Sequence, residues 1–294
     1  MEVSARARAA IASALVIATA CGGSAPGSSV PSRPTEATTA PAIPAPAWRS
    51  TSAPTGAPDG GEWIVVDSRD GRPLVAVVYR PVGAGPAPVA IALHADGGLR
   101  ERFLSLPRWL AEQGFLAVAP CWTSSNWAAA GASPVVACAA DAPLRNSVTA
   151  TAEDIRAIVE AARTLPGARA DRLALVGHSL GAMAALFASM ETTVDATVSI
   201  SAVYGRLSTP QFGGTTLLER AERLRSPVLM VHGTDDAAAP FADAKTFAAD
   251  ARARSKEVET LFVEGAPHQL PFTPQYWTDD VKGKVIGFLR RRLP

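Results

Sequence analysis

Several residue types are too scarce in this chain to support whole classes of function. It has only three cysteines and four histidines in 294 residues. No two histidines stand four apart on a helix and no cysteines show C-x-x-C spacing, so no metal site is encoded. No Walker loop occurs and no G-x-G-x-x-G loop follows a strand, so the common nucleotide and dinucleotide cradles are absent and no cofactor is expected. Net charge is +1, which provides no basic field to recruit nucleic acid and no acidic tail. The apolar run near the start, Ala9 to Ala20, is too short to span a bilayer comfortably. What the chain does have is apolar content, 48% hydrophobic, enough for one large α/β domain with tails.

The N-terminus reads as a secretory signal over residues 1–20. Arg6 and Arg8 precede the apolar run, and small residues precede Cys21-Gly22-Gly23. Ala18-Thr19-Ala20-Cys21 resembles a bacterial lipobox, which would lipidate Cys21 and make the protein an exported or cell-envelope lipoprotein, touching membrane only through that anchor. Residues 21–60 are dominated by Pro, Ala, Ser and Thr. Such a stretch buries too little apolar surface to offset its ordering entropy and reads as a disordered tether. The folded domain is expected over 61–294. Export permits a disulfide, and Cys121 and Cys138 bracket a segment without periodicity. A bridge there would close a loop of a size worth about 3 kcal/mol.

Within the domain, β-rich runs at Glu62–Asp67 and Pro73–Arg80 flank a hairpin turn at 68–71. Apolar strands follow at Pro88–His94, Phe115–Ala119, Leu173–Val176, Val194–Ser201, Pro227–His232 and Val258–Val263. Between them, helical patterns occupy Arg102–Gln113, Thr149–Leu165, Ala182–Met190, Thr216–Leu224 and Phe241–Ala251, and Trp277–Arg291 closes the chain. Tyr204–Gly214 reads as a loop. Alternation of this kind builds a mostly parallel sheet with helices on both faces, and ligands sit beyond its strand C-terminal ends.

The most informative stretch is Gly177-His178-Ser179-Leu180-Gly181, between an apolar strand and an Ala-rich helix. In that context G-x-S-x-G is a nucleophile elbow, with Ser179 as the nucleophile. A serine hydroxyl needs a base, and the base needs a carboxylate to orient it. His268, in the loop after the last strand, is the expected base; His232 ends a strand and reads as structural. The acid is Asp235 or Asp236, just after His232. The oxyanion hole requires backbone N–H groups. Leu180 supplies one, and Asp96, with Ala95 as runner-up, supplies the other from His94-Ala95-Asp96-Gly97-Gly98. His94 and His178 read as packing or turn residues. Trp122, Trp127, Tyr204 and Phe272 lie in loops and either line a substrate pocket or anchor those loops.

Together these stretches, with Leu110-Ala111-Glu112-Gln113-Gly114-Phe115 and the run from His232 through Pro240, resemble the α/β-hydrolase superfamily, and within it the dienelactone-hydrolase-like branch. The resemblance covers roughly Gly61 to the C-terminus. It implies the α/β-hydrolase fold, and it picks Asp236, four residues before Pro240, as the acid. The chain departs from that family in two places. Dienelactone hydrolases use a cysteine nucleophile where this chain has Ser179, and they carry a glutamate where this chain has Ala95. The resemblance therefore implies a general serine esterase acting on a small-molecule or polymeric ester, rather than on a dienelactone. A peptidase or acyltransferase with the same triad, or a non-catalytic binding lipoprotein, are the competing readings.

Overall fold

Among the described residues, the short apolar strands pair into one nine-stranded sheet. A computed structural model describes residues 48–54, 57, 60–69, 71, 73–83, 85–95, 98–122, 148–205 and 216–294, with side chains from residue 151 onward in the second helix. The strands are β1 Trp48–Ser50, β2 Glu62–Asp67, β3 Pro73–Tyr79, β4 Ala87–Leu93, β5 Leu116–Pro120, β6 Ala168–His178, β7 Ala196–Ile200, β8 Val228–Gly233 and β9 Val258–Val263. The helices are α1 Glu101–Glu112, α2 Val148–Arg163, α3 Leu180–Glu191, α4 Phe241–Ala253 and α5 Asp279–Arg292. The sheet order is β1-β2-β3-β5-β4-β6-β7-β8-β9; β1, β2 and β3 run antiparallel, and β3 meets β5 antiparallel. From β5 through β9 every pairing is parallel.

The two-residue period of the strands divides the core between two faces. On β4, Ala90 and Ala92 face one way with α1 and α5, whereas Val89, Ile91 and Leu93 face the other with α2 and α3. Strand β6 repeats the pattern, with Ala174 and Val176 on the first face and Leu173 and Leu175 on the second. Helix α3 is apolar all round, and Gly181 through Met190 are all buried. It lies between α2 and a third cluster in which Met183 and Phe187 meet Phe247 and Ala248 of α4.

Helix ends follow local chemistry. Gly114, at φ 97°, takes the left-handed conformation after α1 that other residues adopt only with strain. Helix α5 begins with Thr278, whose side chain accepts from the Val281 N–H. Asp279 and Asp280 in its first turn and Arg290, Arg291 and Arg292 in its last complement the helix dipole. Trp277, read from sequence as the first helical residue, instead sits before the cap and packs edge-on against Trp109.

Two further expectations change. The folded part, expected from residue 61 after a tether over 21–60, already includes Trp48–Ser50, which forms an edge strand on β2, with Arg49 pairing with Asp67 at 2.6 Å. Trp48 packs against the second core cluster, an apolar contact that a Pro/Ser/Thr composition obscures. The helix expected over Thr216–Leu224 is reduced to one 3-10 turn, Ala221–Arg223. There the Thr216 hydroxyl bonds the Tyr204 carbonyl and the Leu218 N–H, which holds the preceding backbone in a turn.

Candidate active site

Strand β6 ends at His178 and α3 starts at Leu180, so the chain turns from strand to helix in one residue. That residue, Ser179, has φ 54° and ψ −118°, a strained conformation for any side chain. The flanking glycines allow the turn to close. A Cβ on Gly177 would lie 2.6 Å from the Ala182 nitrogen, and one on Gly181 2.6 Å from the Leu93 carbonyl carbon. The start of α3 therefore rests directly on β4 and β6, as only glycine permits. The Ser179 N–H donates to the Ile200 carbonyl at 2.9 Å, tying the elbow to β7.

The other two groups come from the ends of β8 and β9. His268 Nε2 lies 2.9 Å from Ser179 Oγ. On its far side, Nδ1 lies 3.0 and 2.9 Å from the two carboxylate oxygens of Asp236. Asp236 is buried, whereas neighbouring Asp235 is exposed. The Ala238 and Ala239 N–H groups donate to Asp236 Oδ1 at 3.0 and 2.7 Å. Burial is the largest influence on the Asp236 carboxyl and pushes its pKa up. The bonds from His268 and Ala239, with the nearby imidazoles, outweigh burial and hold it below the ordinary value. The arrangement can thus pass the serine proton to an imidazole whose tautomer is fixed by a carboxylate.

Of the two expected oxyanion donors, Leu180 is the first residue of α3, where N–H groups point out of the helix. Asp96 lies outside the described residues; its neighbour Ala95 is buried, two residues past β4, the strand that pairs with β6. The remaining histidines line the same strand ends and are kept neutral. Burial lowers His94 and His178 to about 4, and it lowers His232 as well. Each makes one contact to a backbone carbonyl: His94 Nδ1 to Ala95 at 2.7 Å, His178 Nε2 to His268 at 2.9 Å and His232 Nε2 to Ala239 at 2.8 Å.

The expected pocket aromatics separate into two groups. Trp122 and Tyr204 are each 1% exposed and serve as anchors. The Trp122 indole N–H donates to the His94 carbonyl, and the Tyr204 hydroxyl pairs with Ser199 Oγ. Phe272 stands at the site, edge-on to His178 at 5.1 Å and to Phe103 at 5.5 Å. Trp127 and Cys21 lie outside the described residues. Cys121 is disulfide-bonded, and Cys138, its expected partner, lies outside the described residues. Among the described residues no cluster of metal-ligating side chains occurs, and no helix is long and apolar enough to cross a membrane.

Sequence reasoning missed one contribution. Phe103 packs against both His94 and His178, but from sequence it is one apolar residue among several on α1. His232, read from sequence as structural, is bonded to the turn that carries Asp236.

No curated protein matches the chain in sequence. Among solved structures, a Klebsiella pneumoniae protein provisionally assigned as a dienelactone hydrolase superposes with TM-score 0.64 at 22% identity, covering 84% of this chain and 99% of that one. A propionate-bound thermophilic esterase from Thermogutta terrifontis gives TM-score 0.61 at 17% identity, covering 80% and 96%. A puromycin-hydrolysing peptidase from Mycobacterium tuberculosis gives TM-score 0.66 at 18% identity, and the match spans 79% of this chain but only 39% of the peptidase. At such identities the likeness is one of fold, the α/β-hydrolase fold. Residues 74–275 match the family model of the dienelactone hydrolases, and over that span, from β3 past the His268 loop, the chain belongs to the dienelactone hydrolase family.

Proposed function

We propose that this protein is a serine hydrolase that cleaves carboxylic esters. The observation carrying the proposal is the continuous chain of contacts from Ser179 Oγ through His268 to buried Asp236. Ser179 Oγ attacks the ester carbonyl carbon while His268 Nε2 takes its proton. The carbonyl oxygen becomes an oxyanion held by the Leu180 N–H and an N–H from the loop at 95–96. His268 then returns the proton to the alcohol oxygen as the ester C–O bond breaks, leaving an acyl-Ser179. Water attacks that acyl group, His268 takes the water's proton, and its transfer back to Ser179 Oγ releases the acid. Asp236 stays ionised throughout and stabilises the imidazolium.

Ester hydrolysis is favoured over cleavage of a dienelactone because the nucleophile is a serine and Ala95 stands where that family carries glutamate. Peptide hydrolysis by the same groups is the second reading, since the structural neighbours include peptidases. Those proteins are more than twice the length of the matched region, which supports ester over peptide as substrate. We further propose export through residues 1–20 and lipid anchoring at Cys21, which mass spectrometry of the mature N-terminus tests directly. For the activity, the test is hydrolysis of a panel of p-nitrophenyl esters by the protein and by Ser179→Ala. Turnover should fall on the order of 10⁶-fold in the variant. Equal turnover in the two would remove the proposal, and peptide cleavage without ester cleavage would select the second reading.

A further inference from the structure

His178 plays no part in the proton transfers above, yet its single hydrogen bond falls on the residue that does. It is 1% exposed, its Nε2 is 2.9 Å from the His268 carbonyl oxygen, and its Nδ1 is buried without a partner. A carbonyl only accepts, so Nε2 carries the proton and Nδ1 is bare. A buried acceptor left bare is a liability that an apolar ring of similar size would avoid. The imidazole therefore brings one thing that such a ring would lack, a donor aimed at the backbone of His268.

The location of that bond makes it consequential. His178 immediately precedes Ser179, whereas His268 lies in the loop between β9 and the 3-10 turn Leu270–Phe272. The bond joins the backbone of the base to the strand that ends at the nucleophile, across 90 residues of sequence. The ring itself is pinned. Phe272 meets it edge-on, Phe103 packs at 6.4 Å and the His268 ring at 5.2 Å. A pinned donor of this kind defines how far His268 can move from Ser179 Oγ.

We propose that His178 is a positioning residue for the hydrolytic reaction, holding His268 at transfer distance from Ser179 through the His268 carbonyl. The inference rests on the esterase reading. Its test uses the full-length protein with Ser179→Ala, His178→Phe and His178→Gln, assayed on one p-nitrophenyl ester. Phenylalanine keeps the ring and loses the donor, while glutamine returns an N–H near the position of Nε2. A misplacement of about 1 Å can cost on the order of 10²-fold in rate, so His178→Phe should lose about 10- to 100-fold in kcat. Its KM should stay within about twofold, because ground-state binding is untouched. His178→Gln should recover most of that kcat.

A role confined to packing would lower the melting temperature and leave kcat alone. Wild-type kcat in folded His178→Phe overturns the proposal, and so does an equal loss in the Phe and Gln variants. Should His178→Phe not fold, the imidazole ¹⁵N shifts of the wild-type protein decide. A protonated Nε2 with a bare Nδ1 supports the proposal, and the opposite tautomer overturns it. Turnover that survives in Ser179→Ala refutes the esterase reading instead, so the two failures are distinguishable.

Discussion

Gly233 closes β8 against the loop that carries His268, and replacing it with alanine should disable the site while leaving the fold standing. A Cβ at Gly233 would lie 2.6 Å from the Ala266 carbonyl carbon, with the carbonyl oxygen nearer still. Ordinary contact starts at 3.4 Å, so relieving the carbonyl carbon alone takes about 0.8 Å and the nearer oxygen takes more. Strand β8 is paired on both sides, by β7 and β9, and all of it is buried, so the 264–268 loop is the part that gives. That loop carries His268, whose contacts to Ser179 and Asp236 span only 2.9 to 3.0 Å. Lengthening them by most of an ångström takes them outside hydrogen-bond geometry. The expected loss is on the order of 10²-fold in kcat, equivalent to about 2.7 kcal/mol of transition-state stabilisation. Overpacking should remove about 1–3 kcal/mol of stability, which a domain with a margin of roughly 5–15 kcal/mol survives. Gly283, inside α5 with open space around its would-be Cβ, is the matched control. Gly283→Ala should keep full activity and gain roughly 0.5–1 kcal/mol from helix propensity. The assay pairs ester turnover with thermal unfolding for both variants. A folded Gly233→Ala enzyme with wild-type kcat would refute the reasoning.

Three other outcomes follow from the same structure. Asp236→Asn retains the shape of the site but frees the His268 tautomer, so kcat should fall on the order of 10⁴-fold with KM little changed; steady-state kinetics would expose a smaller role as a modest loss. His94 and His178 are held near 4 against an ordinary 6.5, so between those values the unfolded chain binds more protons than the folded one. Their contribution is complete above pH 6.5 and lost as pH falls toward 4, roughly 3 kcal/mol for each; depressed Asp236 adds a further loss below its ordinary 3.8. Urea unfolding at pH 7, 5 and 4 measures this, and a flat stability across that range contradicts it. A chain beginning at residue 61 lacks β1 and its Arg49–Asp67 pair, and should be less stable than one beginning at residue 47 by on the order of 1–3 kcal/mol, read by denaturant midpoint.

The elements legible in the sequence were those whose local signal and tertiary setting agree. Buried parallel strands such as 88–94 and 228–233 are continuous apolar runs because both faces are covered, and that pattern survives without structural help. The elbow was legible for a related reason. Two glycines are required by backbone approaches that no other residue tolerates, so the chemistry of the turn is written in residue type. The candidate acid was less legible: residue reading alone left Asp235 and Asp236 open, the family resemblance picked Asp236, and in the structure Asp236 is the buried one of the two. Edge strand β1 was hidden because three residues pairing along one side of a sheet need little intrinsic preference. Trp122 and Tyr204 illustrate the opposite difficulty. A loop aromatic can face solvent, substrate or core, and the deciding partners, His94 and Ser199, lie far along the chain or across a turn. The backbone bond from His178 to His268 has no sequence signature at all, since the acceptor is a carbonyl that every residue carries.

The central claim is that Ser179 is a nucleophile activated by His268. Its most direct test is active-site labelling of the full-length protein with a fluorophosphonate, followed by peptide mapping and a parallel measurement on His268→Ala. The account predicts one adduct per chain, on the Ser179 hydroxyl, forming orders of magnitude more slowly in the variant. Labelling at any other residue, or an unchanged rate at Ser179 without His268, would contradict it.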